Sequence, residues 1–401
     1  MIALSKIMDA SRRLNGVVQN TKLAFAPRLS AKREANVYVK QENLQNTGSF
    51  KLRGAFNKIA TLSDDEKNRG VIAASAGNHA QGVAYSAKHF GIKAVIVMPE
   101  STPLLKVMGV KELGAEAILK GNNYDESYAY ALEYAKENNL CFIHPFADDE
   151  VIAGQGTIAL EMIEAENNLN TIVVPIGGGG LISGIGAVYK QMIPNTKIVG
   201  VVAQGAAAMY HSFLKKEIER IDSVRTIADG IAVKNVNEKN FGYILECVDE
   251  IVMVDDYEIA EAILFLLEKQ KLVVEGAGAS VVAALLHNKF QISKNENIGL
   301  VLSGGNIDVT MLGVIIEKGL VRAHRKMRFS VTLIDKPGSL QELSNLLSSL
   351  GANIVKIDFD RISTSYGDAS VSIMLDTKGK EHQELIRNKL RINGYEFSES
   401  F

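Results

Sequence analysis

Thr171-Ile172-Val173-Val174-Pro175-Ile176-Gly177-Gly178-Gly179-Gly180-Leu181-Ile182-Ser183-Gly184 is the stretch whose reading decides the fold. Residues 171–176 are a short β-branched, apolar run bounded by glycines, the pattern of a buried strand. Residues 181–189 are small and apolar and read as a helix. A flexible linker would not be wedged between two such elements. The other reading is a tight strand-to-helix turn, whose glycines let backbone N–H groups face an anion at a helix N-terminus. No register of the loop gives G-x-G-x-x-G and no Walker lysine follows, which disfavours a dinucleotide or NTP site.

The same grammar recurs on either side. Residues 37–40, 70–74, 93–98, 115–119, 197–202 and 298–302 read as strands, and 125–138 and 257–269 as helices between them. Alternation of this kind specifies an α/β fold with parallel sheets covered by helices. Ligands in such folds bind in crevices at the carboxyl ends of the strands. Two more strand ends are rich in small and polar residues: Ser75-Ala76-Gly77-Asn78-His79 and Ser303-Gly304-Gly305-Asn306. Ser75, Gly77 and Asn78 suit a helix cap, and the same corner makes a pocket for a carboxylate.

Lys51 lies in Thr47-Gly48-Ser49-Phe50-Lys51-Leu52-Arg53-Gly54. An arbitrary lysine is a solvated side chain. Here Phe50 and Leu52 bracket it with apolar mass, which would desolvate the amine, lower its pKa and suit it to Schiff-base chemistry. An activated lysine together with a phosphate loop matches a cofactor that carries both an aldehyde and a phosphate, pyridoxal 5′-phosphate (PLP).

The pattern changes after residue 320. Strand 329–335, helix 339–350, strands 353–361 and 369–376, helix 380–391 and a last strand near Tyr395 spell βαββαβ, the ferredoxin-like split unit. The expected division is therefore 1–320, with a smaller subdomain at about 50–150 inserted in a larger one, a linker at 321–328, and a terminal domain at 329–401.

Bulk properties bound the function. The 401 residues are 47% apolar and 22% charged, with a formal charge of -2. No footprint for nucleic acid or an anionic membrane is visible. The basic run 322–328 is too short to argue otherwise. Cys141 and Cys247 sit in apolar surroundings and read as buried packing rather than a disulfide framework. No signal-peptide core or bilayer-length run is present, so a cytoplasmic location is expected.

With these motifs in place, the chain resembles the tryptophan-synthase-β-like PLP enzymes (fold type II), and within them the threonine dehydratases, or threonine ammonia-lyases, over residues 1–320. The tail, with Asp335, Pro337, Gly338 and Leu340 and then Gly351, Asn353 and Ile354, resembles an ACT domain. The resemblance implies that Lys51 forms the Schiff base and acts as the base at Cα, with Phe50 flanking the ring. Asn78 would bond the phenolic oxygen of the cofactor, and Gly177, Gly178, Gly179, Gly180 and the amide of Leu181 would hold its phosphate. Ser303 would face the pyridine nitrogen, with Glu275 near the ring edge. Ser75, Gly77, Asn78 and His79 would bind the substrate carboxylate, with Ser75 and His79 also counted as catalytic beside Lys51. A neutral hydroxyl at the pyridine nitrogen supports the pyridinium weakly and favours expulsion of a β-substituent over transamination. The implied reaction takes L-threonine to 2-oxobutanoate and ammonia, and L-serine to pyruvate.

Two departures sharpen this reading. Serine racemases of the family carry a serine where this chain has Ala76, which cannot carry a proton. Metal-activated relatives place acidic residues where this chain has Val202 and Ala208, so no divalent metal site is expected. Asp335, Gly338, Asn353 and Ile354 are the candidate effector residues, with isoleucine or valine as the effector and a homo-oligomer, dimer or tetramer, as the assembly. The competing functions are a serine-preferring dehydratase or another β-elimination or replacement lyase, and a non-catalytic amino-acid sensor.

Overall fold

The computed structural model describes residues 1–362 and 364–399. Two compact units divide the chain, Met1–Ile307 and Asp308–Phe401.

The first unit holds two sheets. The larger runs Leu23–Phe25, Asn36–Lys40, Asn297–Val301, Thr171–Pro175, Lys197–Ala203, Glu250–Val254. Its first pair is antiparallel and the others are parallel. The smaller sheet is parallel throughout, in the order Glu116–Leu119, Ala94–Met98, Val71–Ala74, Cys141–Phe142. All its strands come from the sequence between the second and third strands of the larger sheet to form, so it is inserted in it. Thr171–Pro175, Ala94–Met98 and Val71–Ala74 are buried along their whole length, which explains their unbroken apolar sequences.

Three strands escape the sequence pattern: Leu23–Phe25, Cys141–Phe142 and Glu250–Val254. All three lie at sheet edges, and the first two have only three and two residues. Short edge strands carry little alternation to read. Cys247 is buried as expected, whereas Cys141, on one of these edges, is only half-buried.

The second unit has one antiparallel sheet, ordered Asn353–Asp360, Asp368–Asp376, Lys326–Ile334, Phe397–Glu399, with helices Ser339–Ser349 and Lys380–Ile392. This is the ferredoxin-like arrangement. Its boundary differs from the sequence reading. Helix Val309–Arg322, capped by the Asp308 carboxylate on the N–H groups of Thr310 and Met311, groups with this unit. Nor is 321–328 an open linker. Residues 321 and 322 end the helix, and Lys326–Ile334 has already begun as a strand with Met327 in the unit's apolar core. Of the basic residues in this stretch, Lys326 and Arg328 take outward positions of an amphipathic strand; Arg328 is exposed between buried Met327 and Phe329.

Candidate active site

Lys51 opens the helix Lys51–Ala60. The residues before it are tied to the end of strand Asn297–Val301. Ser49 forms an antiparallel bridge with Gly304, the Phe50 N–H donates to the Ser303 carbonyl at 3.0 Å, and the Gly305 N–H donates to the Gly48 carbonyl at 2.8 Å. Gly48 has φ +71°, and a Cβ there would lie 2.5 Å from Asn306 Oδ1, so glycine is required on both counts. Behind Lys51, Arg53 is fully buried. It donates to Glu42 at 2.8 Å and to Glu161 at 2.6 Å, and Lys40 also pairs with Glu161. These bonds hold the helix start in one place.

The Lys51 amine donates to the Pro145 carbonyl at 2.8 Å and stands 5.3 Å from the centre of the Phe50 ring. Burial lowers its pKa to about 8, against the opposing pull of Glu275. Phe50 thus supplies apolar surface as expected. Leu52 does not, because one helical step turns it into a separate cluster with Leu14 and Phe56.

The glycine loop joins strand Thr171–Pro175 to helix Gly180–Met192. Gly178, Gly179, Gly180 and Leu181 are buried. Among the described residues, the N–H groups of Gly177, Gly178, Gly179, Gly180 and Leu181 have no protein acceptor; the first to find one is Ser183, on the Gly179 carbonyl at 3.0 Å. Buried N–H groups are almost always paired, so this unpaired row, buried from Gly178 onward, calls for an anion. Side chains have no room here. A Cβ on Gly178 would overlap the Phe146 ring, and one on Gly180 would lie 2.8 Å from the Phe146 carbonyl.

The turn after Val71–Ala74 opens helix Asn78–Phe90. The Ser75 hydroxyl accepts from the Gly77 N–H at 3.2 Å. The N–H groups of Ala76, Asn78, His79 and Ala80 have no protein acceptor among the described residues, and the space beside Gly77 is open. Asn78 donates to Glu275 Oε1 at 2.7 Å and accepts from Asn306 Nδ2 at 2.7 Å. His79 is buried with Nε2 on the Ile143 carbonyl at 2.8 Å, leaving Nδ1 as a bare acceptor. Burial and then the nearby Lys51 charge bring its pKa down to about 3, so it is neutral.

Glu275 immediately precedes helix Gly276–Leu286 without a side-chain cap bond to it, and its N–H donates to the Gly304 carbonyl at 3.0 Å. Burial raises its carboxyl to about 7, against the Asn78 hydrogen bond. Ser303 follows the end of the strand Asn297–Val301, is 2% exposed, and its hydroxyl makes no hydrogen bond among the described residues. The fold thus brings Phe50, Lys51, the 75–79 turn, the glycine loop, Glu275 and Ser303 to the carboxyl ends of the parallel strands of the two sheets.

Sequence reasoning missed His144, Pro145, Phe146 and Asn240. His144 Nδ1 accepts from the N–H groups of Phe146 at 3.1 Å and Ala147 at 2.8 Å, and burial, then Lys51, lowers its pKa to about 4. Nothing in the short edge strand before these residues signals a site. Asn306 stood in a quoted motif without a role, and its side chain proves to orient Asn78.

The candidate effector residues fall into two groups. Asp335 pairs with Arg361 at 3.0 Å, and Asp335 and Gly338 line a cleft with Leu340, Phe359 and Arg361. Asn353 instead donates to Asp376, at the far end of the strand Asp368–Asp376, whose other end lies by Ile334. Eight residues at about 3.3 Å each separate the two places by roughly 25 Å. Asn353, at the start of its strand, therefore does not lie close to the loop that holds Pro337 and Gly338 in the same chain, as its place in the sequence suggests; the two are at opposite ends of the antiparallel sheet.

A desolvated amine and a row of buried, unpaired N–H groups fit the aldehyde and phosphate of PLP. Comparison with known proteins agrees. Residues 14–304 match the family model of pyridoxal-phosphate dependent enzymes. An L-threonine ammonia-lyase of Thermotoga maritima is 47% identical over 398 residues, covering 99% of both chains. Among solved structures, the processed threonine deaminase isoform 2 of Solanum lycopersicum is 39% identical with a TM-score of 0.75, over 78% of this chain and 87% of that one. Maize serine racemase is 33% identical, also with a TM-score of 0.75, over 80% of this chain and 99% of that one. Among the described residues no helix is long and apolar enough to cross a membrane. The chain belongs to the pyridoxal-phosphate dependent enzymes, in their threonine ammonia-lyase branch.

Proposed function

We propose that this protein converts L-threonine to 2-oxobutanoate and ammonia, and L-serine to pyruvate. When bound, PLP would supply the electron sink that this chemistry needs. Gly177, Gly178, Gly179, Gly180 and the Leu181 amide hold its phosphate. The free N–H groups of the 75–80 turn bind the substrate carboxylate, aided by Ser75, Gly77 and Asn78, with His79 as a neutral wall. Lys51, whose amine is half neutral near pH 8, removes the Cα proton. The β-hydroxyl leaves as water, and a water molecule then hydrolyses the released enamine, so that ammonia is the net loss. Ser303, a neutral group that would face the pyridine nitrogen, would favour this elimination. The observation that carries the reading is the desolvated Lys51 amine. The test is 2-oxo acid formation from threonine alone, without an added nucleophile; none formed by PLP-loaded protein would defeat it.

Maize serine racemase is a structural neighbour, but Ala76 at the start of the substrate turn carries no proton donor, which argues against racemisation. An end-product amino acid such as isoleucine or valine is the proposed effector of an ACT-like second unit. The strand Asn353–Asp360 is an unpaired sheet edge. Two copies joined edge to edge, antiparallel, would bring the Asn353 and Ile354 end of one beside the Asp335 and Gly338 cleft of the other, which reconciles the two groups. Calorimetry with the full-length protein and a panel of amino acids tests this, and binding with no change in threonine affinity would rule out control through linkage.

A further inference from the structure

Asn240 lies on helix Glu238–Cys247, in the first turn, and is fully buried. Its Nδ2 donates to two carbonyls at once, Gly178 at 2.6 Å and Phe146 at 3.0 Å. The first acceptor is in the glycine loop. The second is in the short segment that follows the lysine's own acceptor, since Pro145 takes the Lys51 amine at 2.8 Å. His144 Nδ1 closes that segment into a turn by accepting from Phe146 and Ala147. The Phe146 ring fills the place a Gly178 side chain would need. A continuous run of contacts therefore leads from the Lys51 amine through Pro145 and Phe146 to Asn240 and the glycine loop.

We propose that Asn240 is a positioning residue that sets the phosphate cradle relative to Lys51. Its amide draws the Gly178 carbonyl away to the protein side. Each peptide unit is planar, so holding the Gly178 carbonyl fixes the direction of the Gly179 N–H, one of the five unpaired donors. The same amide holds Phe146 against the loop, so cradle and lysine share one anchor. Without it, the Gly178 carbonyl is left unpaired in a buried site, where an unmet acceptor is costly, and is free to rotate toward the phosphate, which it would repel. The bonds of the Asn240 amide go to the carbonyls of Gly178 and Phe146. Asn240 acts through the loop.

The inference rests on the glycine loop holding the PLP phosphate, and one titration separates the two. Apoprotein is titrated with PLP and with pyridoxal, which lacks the phosphate, following visible absorbance. If wild type binds both equally, the loop is not a phosphate cradle. If wild type prefers PLP, Asn240→Leu, which keeps the branching of the side chain and removes the donor, is expected to lose roughly ten- to a hundredfold of that preference, with pyridoxal affinity and the thermal midpoint of the apoprotein little changed. Asn240→Ser, with one donor, should fall between. An unchanged preference in Asn240→Leu overturns the proposal. So does a variant that loses PLP and pyridoxal affinity in equal proportion, or apoprotein that fails to fold with both substitutions, since Asn240 would then serve the core alone. Tyr243→Phe, on the same helix but bonded to Asp149 at 3.2 Å, should leave the preference at its wild-type value.

Discussion

Two strand-to-helix turns face the same cleft, and they are built in opposite ways. In the turn 177–180, glycines are enclosed: Phe146, Ile231 and Ile244 stand where their side chains would go, and Gly179 has φ +87°. In the turn 75–78, Gly77 has open space beside it, and Ser75, Ala76 and Asn78 are only half-buried. Both leave first-turn N–H groups unpaired, and both therefore attract anions. The difference teaches what each anion is. A closed, rigid cradle suits a phosphate that stays, whereas an open turn at the rim suits a carboxylate that comes and goes with each turnover.

The largest expected effect lies between the two turns, at the group both must address. Lys51→Ala should reduce threonine turnover by ~10³-fold or more, because proton removal by a placed base is worth that much, and should abolish the visible absorbance that bound PLP gives with the lysine amine. Wild-type rates in this variant would break the comparison at its root, since neither turn would then serve PLP chemistry.

The closed turn should tolerate no side chain. Gly178→Ala forces a methyl into the Phe146 ring, and overpacking of this kind costs about 1–3 kcal/mol. PLP affinity should drop about a hundredfold by absorbance titration, while the threonine KM of fully loaded enzyme stays within a few-fold. A variant with intact PLP affinity and a raised threonine KM would exchange the roles of the two turns.

Loading of PLP should report the lysine. An amine with a pKa near 8 is about one-tenth neutral at pH 7, against roughly one in three thousand for an ordinary lysine at 10.5. The lowered pKa means that the reactive neutral form gains as pH rises, reaching about half at pH 8 and about nine-tenths at pH 9. The rate of PLP incorporation into apoprotein should therefore rise about tenfold above its pH 7 value and level off between pH 8 and 9. A rate still climbing at pH 10 would mean that the Lys51 amine is solvated.

Much of this was legible from sequence, for identifiable reasons. Fully buried parallel strands such as Thr171–Pro175 and Val71–Ala74 have unbroken apolar sequences, and each ends in small residues that mark a ligand-facing turn. The lysine was marked by Phe50, and the terminal unit by its alternating strands. What the sequence hid is what the fold assembles from distance. Asn240 and Phe146 are 94 residues apart, and Asn306 reaches Asn78 across 228. No local period encodes such pairs. The unit boundary was misplaced because helix Val309–Arg322 continues the apolar pattern of the first unit while grouping with the second.

The smallest expected effect is the sharpest test of the contrast. Gly77 has φ -135°, which alanine adopts, and no atom lies within 4 Å of the position its Cβ would take. Gly77→Ala should therefore fold normally and bind PLP with wild-type affinity, unlike Gly178→Ala. The added methyl would point into the space proposed for the substrate carboxylate. One methyl group in a closed pocket is worth tenfold or more in discrimination. This rim is open and the carboxylate can shift, so the expected rise in threonine KM is smaller, about fivefold, with kcat within about twofold because Lys51 and the cradle are untouched. Serine should suffer less than threonine, since it lacks the extra methyl that limits how far the substrate can move. If Gly77→Ala instead lowers PLP affinity and leaves KM alone, the open turn belongs to the cofactor and the contrast drawn here between a permanent and an exchanging anion is wrong.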